Sequence, residues 1–437
     1  MNTLEEHLRH YASVQPGKTA LKCGNESLSY AKLYALACRE ATALRSAQKL
    51  VPIVAIPGME FVVSYLAAHI AGCTAVPLDK ATTPQRLEQI KAMLLGKAAP
   101  QGVADVLFTT GTTGRQKGVM VSHKAIAANA ENLAEAQAFG DDLTFVVCGP
   151  LNHIGSLSKL YPTIAVGATL HIIDGLKDMD AFFRAIDAAP AKAASFLVPA
   201  SIRMLMAFAE REIAARAAKI DFIETGAAPM PLADMQQFCS LLPHSRLYNT
   251  YASTETGIVC TYNYNDGQYL AGCVGRPTRH AQVKITGDGH IACRGPMAMS
   301  GYRDDEAATA RTMQDGWVVT ADLGTLDEEG RLHFKAREGD IINIGGFKID
   351  PLKVEEAARQ ISGVDDCICV EADSPLFGPC LELQYVSTSG QPLAKPLLAR
   401  SLAARLEPYE VPRLYEHVEQ LATTFNGKKL RTRSTSK

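Results

Sequence analysis

Apolar and polar positions follow two periods along the chain and exchange them often. Residues 1–14 repeat as an amphipathic helix, with Glu5 and Glu6 among the polar positions. A short hairpin around 24–30, a helix over 31–45 and a strand over 51–56 come next. Helical and strand patterns continue through 125–138, 144–148, 168–173, 180–188, 195–198 and 202–218. Such alternation predicts a mixed α/β protein with a largely parallel sheet covered by helices. From Gly272 the texture turns β-rich: 282–286 and 290–294 flank a Gly-Asp-Gly turn, the pattern of an antiparallel hairpin. Beyond Arg337 lie further strands and helices (341–344, 352–360, 367–371, 382–386, 392–406). These last residues, about 100 of them, suffice for a small α+β domain.

One uncharged run, 61–78 between Glu60 and Asp79, reaches the length of a membrane span. Gly72 and Pro77 punctuate it, and Ser64, His69 and Thr74 interrupt it. The pattern therefore favours a buried helix to about Ala71, a glycine stop and a strand over 74–78.

Composition narrows the field without choosing a function. The 437 residues carry 44 Lys and Arg against 46 Asp and Glu, a net charge of -2, so no basic excess exists to neutralise a nucleic acid. The 11 cysteines are odd in number and form no CxxC pair, which fits reduced thiols in a cytoplasmic chain. The first residues lack the continuous apolar stretch of a secretory signal. His7 and His10 stand at i and i+3 with no third ligand near in sequence, and read as surface residues.

Candidate chemistry concentrates in a few segments. Residues 107–119 read Leu-Phe-Thr-Thr-Gly-Thr-Thr-Gly-Arg-Gln-Lys-Gly-Val, an apolar strand running into a loop, with a helix from about Ser122. Glycines admit close backbone approach, amides and threonine hydroxyls donate, and Lys117 adds positive charge, all suited to a polyphosphate. It is not a Walker loop, because Lys117 precedes Gly118 and no hydroxyl residue follows. A flexible polar loop is the plain alternative.

This loop resembles that of the adenylate-forming enzymes, the superfamily of acyl-CoA synthetases, nonribosomal peptide adenylation domains and beetle luciferases. Thr110 and Gln116 stand where that family usually has Ser and Pro. Further blocks in the family's order extend the resemblance to Arg431, nearly the whole chain. Glu224-Thr-Gly-Ala-Ala-Pro229 resembles the adenine-side segment, and Tyr251-Ala-Ser-Thr-Glu255 the motif whose Glu helps hold Mg²⁺ and whose Thr contacts phosphate, with Ala252 replacing Gly. Asp322 takes the place of the ribose-binding carboxylate, with Ala321 for Gly, and Arg337 that of the ribose-contacting arginine, with Ala336 for Gly. Gly339 falls on the pivot between large and small domains, and 344–348, with Gly345 and Gly346, on the loop that presents the thiol tunnel. Lys428, after Gly427, takes the position of the adenylation lysine, while Lys429 reads as a solvated end.

The resemblance implies a large N-terminal AMP-binding domain over 1–338 and a small mobile domain over 339–437 that carries the catalytic lysine. It implies ATP bound by Thr109, Thr110, Gly111, Thr112, Thr113, Gly114, Gly226, Ala227, Ala228, Tyr251, Asp322 and Arg337. Lys428, Lys117, Glu255 and Thr254 would be catalytic, with Mg²⁺ at Glu255. The block Gly149-Pro-Leu-Asn-His-Ile-Gly-Ser156 resembles that of carboxylic-acid ligases, placing His153 and Gly155 at the acid pocket. No carboxylate follows in sequence before Asp174, so an uncharged acyl or aryl acid fits better than an amino acid, whose buried ammonium would want a partner. The expected product is an acyl-CoA thioester, formed from acid, ATP and coenzyme A. Two alternatives stay open: loading of an acyl carrier protein, and a non-catalytic nucleotide-binding relative. The stretch between Leu78 and Leu107 is short for the family.

Overall fold

In the computed structural model, residues 3–44, 50–94, 97, 101–110, 116–344, 347–374, 378–423, 429–431 and 434–435 are described. They divide into two compact units, Met1–Thr320 with Thr325–His333, and Ala321–Gly324 with Phe334–Lys437. The division thus falls a few residues ahead of the 338/339 boundary read from the sequence.

In the first unit α1 (Leu4–Val14) precedes the hairpin β1 (Thr19–Cys23) and β2 (Glu26–Ser29) and α2 (Tyr30–Leu44). Then come β3 (Leu50–Val54), α3 (Met59–Ile70) and β4 (Thr74–Leu78). The uncharged run is a helix, a stop and a strand: Gly72 takes a left-handed φ of +72°, and the fully buried β4 pairs in parallel with β3. Among the described residues no helix is long and apolar enough to cross a membrane. Helix α4 (Pro84–Leu94), a strand β5 (Val103–Thr110), a strand β6 (Gln116–Ser122) and α5 (His123–Ala136) follow.

Strand β6 is a departure from the sequence reading, which placed Lys117 in a loop. β6 pairs antiparallel with β5, so Lys117 is a strand residue opposite Thr109. Its apolar Val119 and Val121 are buried, and the pairing satisfies backbone groups that a loop would leave to water. Five strands form this sheet, in the order β16-β6-β5-β4-β3, where β16 is Gly301–Tyr302.

The larger sheet contains β7 (Leu143–Val147), β8 (Thr169–Ile172), β9 (Lys192–Phe196), β10 (Ile220–Gly226), β11 (Arg246–Ser253) and β12 (Gly257–Asn263). Its central order β11-β10-β9-β7-β8-β1 is parallel throughout, with antiparallel β12 and β2 at the flanks. Parallel strands end at one edge of the sheet, so β9 and β10 deliver Phe196 there in register with Glu224, two residues ahead of Gly226. One expected helix, 202–218, is instead two, Pro199–Phe208 and Glu210–Ala214. The break is Ala209, which leaves the helical region (φ -144°, ψ 31°) and is buried, as is Ile213 beyond it. The β-rich texture after Gly272 resolves into Cys273–Pro277 and the hairpin Gln282–Ile285 with His290–Arg294.

The second unit has its own core, in which Val354, Ala358, Leu398 and Leu402 from two helices pack on Cys367, Leu381 and Tyr385. Those three come from the hairpin Val364–Ser374 with Gly378–Ser387. All eleven cysteines of the chain are free, and most of them are buried.

Candidate active site

The β5–β6 hairpin brings Thr109 and Lys117 into register. The segment after the strand His290–Arg294 returns to this hairpin: Ser300 N donates to Met120 O at 2.8 Å, and Arg303 N to Gly118 O at 2.7 Å. That pairing sets Tyr302 against β6, with its ring 4.7 Å from the Lys117 ammonium. The Tyr302 hydroxyl donates to Glu255 Oε1 at 3.0 Å, and Met299 N to Glu255 O at 2.9 Å. Glu255 and Thr254 occupy the turn between β11 and β12, which Ser253 and Thr256 close: each backbone N–H donates to the other's hydroxyl at 3.0 Å. Thr109 and Lys117 of the hairpin and the sequence-distant Glu255 therefore belong to one cluster.

Sequence reasoning missed Tyr302, the residue that joins this cluster. Its signal was faint, a Gly-Tyr pair ahead of the acidic 304–306 that starts a short helix at Glu306. Gly111, Thr112, Thr113 and Gly114 lie outside the described residues, and only the backbone of Thr110 lies within them.

At the end of β10, Gly226 leaves room beside Thr250: a Cβ there would approach Thr250 O to 2.8 Å. Ala227 follows with a left-handed φ of +67°, sparsely populated for a residue with a side chain, and then half-buried Ala228. Tyr251 is buried on β11, its hydroxyl 3.5 Å from the Thr320 hydroxyl, which donates to Ile291 O.

His153 caps the short helix Ile154–Leu157 and is half-buried. Burial lowers its pKa from the ordinary imidazole value, only partly opposed by Asp79, so the ring is neutral at pH 7. Gly155 and Gly226 face the same aromatic ring. A Cβ on Gly155 would lie 3.1 Å from Phe196 Cε1, and one on Gly226 3.7 Å from Cε2. Beside the ring, 4.9 Å from its centroid, sits the Lys159 ammonium, bonded to Glu224 Oε1 at 2.7 Å. The pair is fully buried, with side chains 1% and 0% exposed. Burial lowers the Lys159 pKa against the attraction of Glu224, and Glu224 Oε2 has no hydrogen-bond partner. The sequence reading found no carboxylate between His153 and Asp174; in space a carboxylate, Glu224, does stand here from another strand, with one oxygen committed to Lys159. Lys159 could have been noticed as a lone charge in the otherwise uncharged 154–173.

In the second unit Arg337 Nε lies 3.8 Å from Asp322 Oδ1, so the two candidate ribose residues are neighbours. Gly339 lies in a 3₁₀ turn, Glu338–Asp340. Gly345, Gly346 and Lys428 lie outside the described residues. Lys429 is not the solvated end expected of it: its ammonium bonds Asp366 Oδ1 at 2.5 Å and Cys367 O at 2.7 Å. Arg431 bonds Glu355 and Cys369 O. Half-buried Asp366, buried Glu355 and two backbone carbonyls thus hold the side chains of Lys429 and Arg431.

The AMP-binding enzyme family profile matches residues 8–94 and 95–303. The indoleacetate–CoA ligase of Aromatoleum aromaticum is 27% identical over 97% of this chain and 96% of its own. The 2-succinylbenzoate–CoA ligase of Bacillus cereus is 25% identical over 99% and 98%. Among solved structures, O-succinylbenzoate coenzyme A synthetase from Bacillus subtilis, in complex with ATP and a magnesium ion, superposes with a TM-score of 0.82. That likeness covers 97% of this chain and 98% of the other at 23% identity.

Proposed function

The chain belongs to the AMP-binding enzyme family, and from that premise we propose how its residues perform the work of an AMP-forming acid–thiol ligase on a ring-bearing carboxylic acid. The enzyme activates the acid with Mg·ATP and passes the acyl group to coenzyme A. Its relatives are named as CoA ligases. The carrier-protein acceptor left open by the motifs finds no support among them.

The observation that carries the residue assignment is the contact of Tyr302 with both Glu255 and Lys117. Glu255 fits Mg²⁺, being a hard oxygen donor, half-buried and oriented by a donor on one oxygen. When bound, the ion supplies charge neutralisation to the phosphates of ATP. Lys117 adds a fixed positive charge beside it, and the hydroxyls of Thr109 and Thr254 add donors. In the first half-reaction a carboxylate oxygen of the acid attacks the α-phosphorus as the bond to pyrophosphate breaks. Lys428 stabilises the charge that develops there. Asp322 accepts from the ribose hydroxyls. In the second, the thiol sulfur attacks the acyl carbonyl and AMP departs. Rotation about Gly339 exchanges Lys428 for the 344–348 loop between the two steps.

The acid is read from Phe196. The backbones of Gly155 and Gly226 lie against its ring, where larger side chains would crowd it, and the matched charges of Lys159 and Glu224 add no net charge, a neutral wall suited to a flat group. A second carboxylate would stand unpaired there, whereas an N–H or O–H donor would satisfy Glu224 Oε2. His153, neutral, lies at the mouth. An acid panel followed by pyrophosphate release tests this. Aryl acids with a ring donor should give the highest kcat/KM, and a preference for dicarboxylic or amino acids would reject the pocket assignment.

A further inference from the structure

Away from the nucleotide and acid residues, three helices turn electron-rich atoms toward one point. Glu5 lies in the first turn of α1, His69 in the last turn of α3, and His123 is the first residue of α5. Glu5 Oε1 is 3.4 Å from His69 Nδ1 and 3.2 Å from His123 Nδ1, and all three donor atoms fall within 4.8 Å of one another. The His69 side chain is fully buried and that of Glu5 is 13% exposed.

The opposite edge of His69 settles which atom is free to bind. His69 Nε2 lies 2.8 Å from Asp105 Oδ1, and Asp105 is fully buried, its other oxygen accepting from Tyr65 at 2.8 Å. Nε2 therefore carries a proton, and in the neutral form that binds a metal the ring presents the Nδ1 lone pair to Glu5. His69 Nδ1 and both oxygens of Glu5 are buried with no hydrogen-bond partner. A carboxylate packed against two imidazole nitrogens calls for positive charge, carried either by the protons of the rings or by a cation between the three groups.

The spacing suits a particular cation. Bonds of about 2.0–2.1 Å to a tetrahedral zinc ion put neighbouring donors about 3.3 Å apart. The two measured separations bracket that value, and both exceed the usual N–H···O distance of about 2.9–3.0 Å. Two imidazoles disfavour Mg²⁺ and Ca²⁺, which take oxygen ligands. A carboxylate holding the far nitrogen of a ligating histidine is the usual support of a zinc site.

We propose that Glu5, His69 and His123 form a site for a zinc-type divalent cation, with Asp105 as the supporting carboxylate and water in the fourth position. The ion joins α1 to α3 and α5, three segments with no other covalent or metal link among the described residues. Its role is structural: Asp105 lies on β5 and His123 directly follows β6, so the clamp holds the base of the hairpin that carries Thr109 and Lys117. The sequence reading looked for ligands along one helix, at His7 and His10; these come from three.

The test uses the untagged full-length protein, stripped with a chelator and titrated with Zn²⁺ and, as a spectroscopic stand-in, Co²⁺. The expected result is one tight equivalent, tetrahedral Co²⁺ bands without thiolate charge transfer, and a rise in Tm on adding Zn²⁺. Glu5→Gln and His123→Gln, checked for folding by circular dichroism, should weaken Zn²⁺ by more than the roughly 10–100-fold that loss of a supporting carboxylate costs. Absence of a stoichiometric site, thiolate charge transfer, or unchanged affinity in the two variants would overturn the proposal and leave Glu5 as the ion-pair partner of two protonated histidines.

Discussion

The Tyr302 hydroxyl reaches Glu255 Oε1 at 3.0 Å while the ring of the same tyrosine lies 4.7 Å from the Lys117 ammonium. One side chain thus orients the candidate magnesium ligand and seats the candidate phosphate lysine. Tyr302→Phe separates these tasks, because the ring stays and the donor goes. A hydrogen bond to a charged group is worth about 1.5–3 kcal/mol. Adenylation should therefore slow by about 10- to 100-fold, with the Mg²⁺ requirement shifted upward and Tm little changed. ATP–pyrophosphate exchange measured across Mg²⁺ concentration reads this; an unaltered Mg²⁺ curve would remove Tyr302 from the site.

Gly155→Ala places a methyl group 3.1–3.3 Å from the Phe196 ring edge, so the ring must yield or the pocket narrows. KM for a ring-bearing acid should rise by about 10-fold or more, an energetic cost of about 1.4 kcal/mol, while KM for ATP stays constant. Steady-state kinetics with each substrate varied would show it, and a matching rise for ATP would place Gly155 elsewhere.

Lys159→Met leaves the Glu224 carboxylate buried beside a thioether. Breaking one partner of a buried pair costs about 3–5 kcal/mol, so Tm should fall sharply. Lys159→Met combined with Glu224→Gln should recover most of the loss. Differential scanning calorimetry of the single and double variants decides it, and an unfolding temperature that ignores the single change would deny the pair its burial.

His171, on β8, is 4% exposed, and burial, with Lys22 adding to it, lowers its pKa to about 4. Below pH 6.5 the unfolded chain binds a proton here before the folded one does. The neutral ring's contribution is therefore complete above pH 6.5 and is lost as pH falls toward 4, in total about 3 kcal/mol. Tm should decline over that window, and less steeply in His171→Asn. Equal slopes in the two proteins would contradict the assignment.

Local pattern carried much of the fold because its signals were themselves local. Residues 61–78 kept their helix, stop and strand, since Gly72 supplies the left-handed turn that no tertiary contact need impose. Strand β6 was missed because its partners, β5 and β16, include one more than 180 residues away, and a strand made by pairing has little signature of its own. The break at Ala209 was hidden for the same reason, alanine being the last residue to announce a helix end. In the candidate site, Lys117 stood out by the composition of its segment and Glu255 by the family resemblance, but Tyr302, Phe196 and Lys159 by neither. Their meaning lies in what they touch, and the charge balance of Lys159 with Glu224 exists only once β10 lies beside β9.

The most direct measurement is acid-dependent exchange of pyrophosphate into ATP without any thiol, compared between the natural chain and Lys428→Ala. The natural chain should exchange with its acid alone and release AMP once coenzyme A is added. Lys428→Ala should lose the exchange and still form thioester from preformed acyl-adenylate. Release of ADP, exchange that waits for the thiol, or equal loss of both steps in the variant would contradict adenylation by this set of residues.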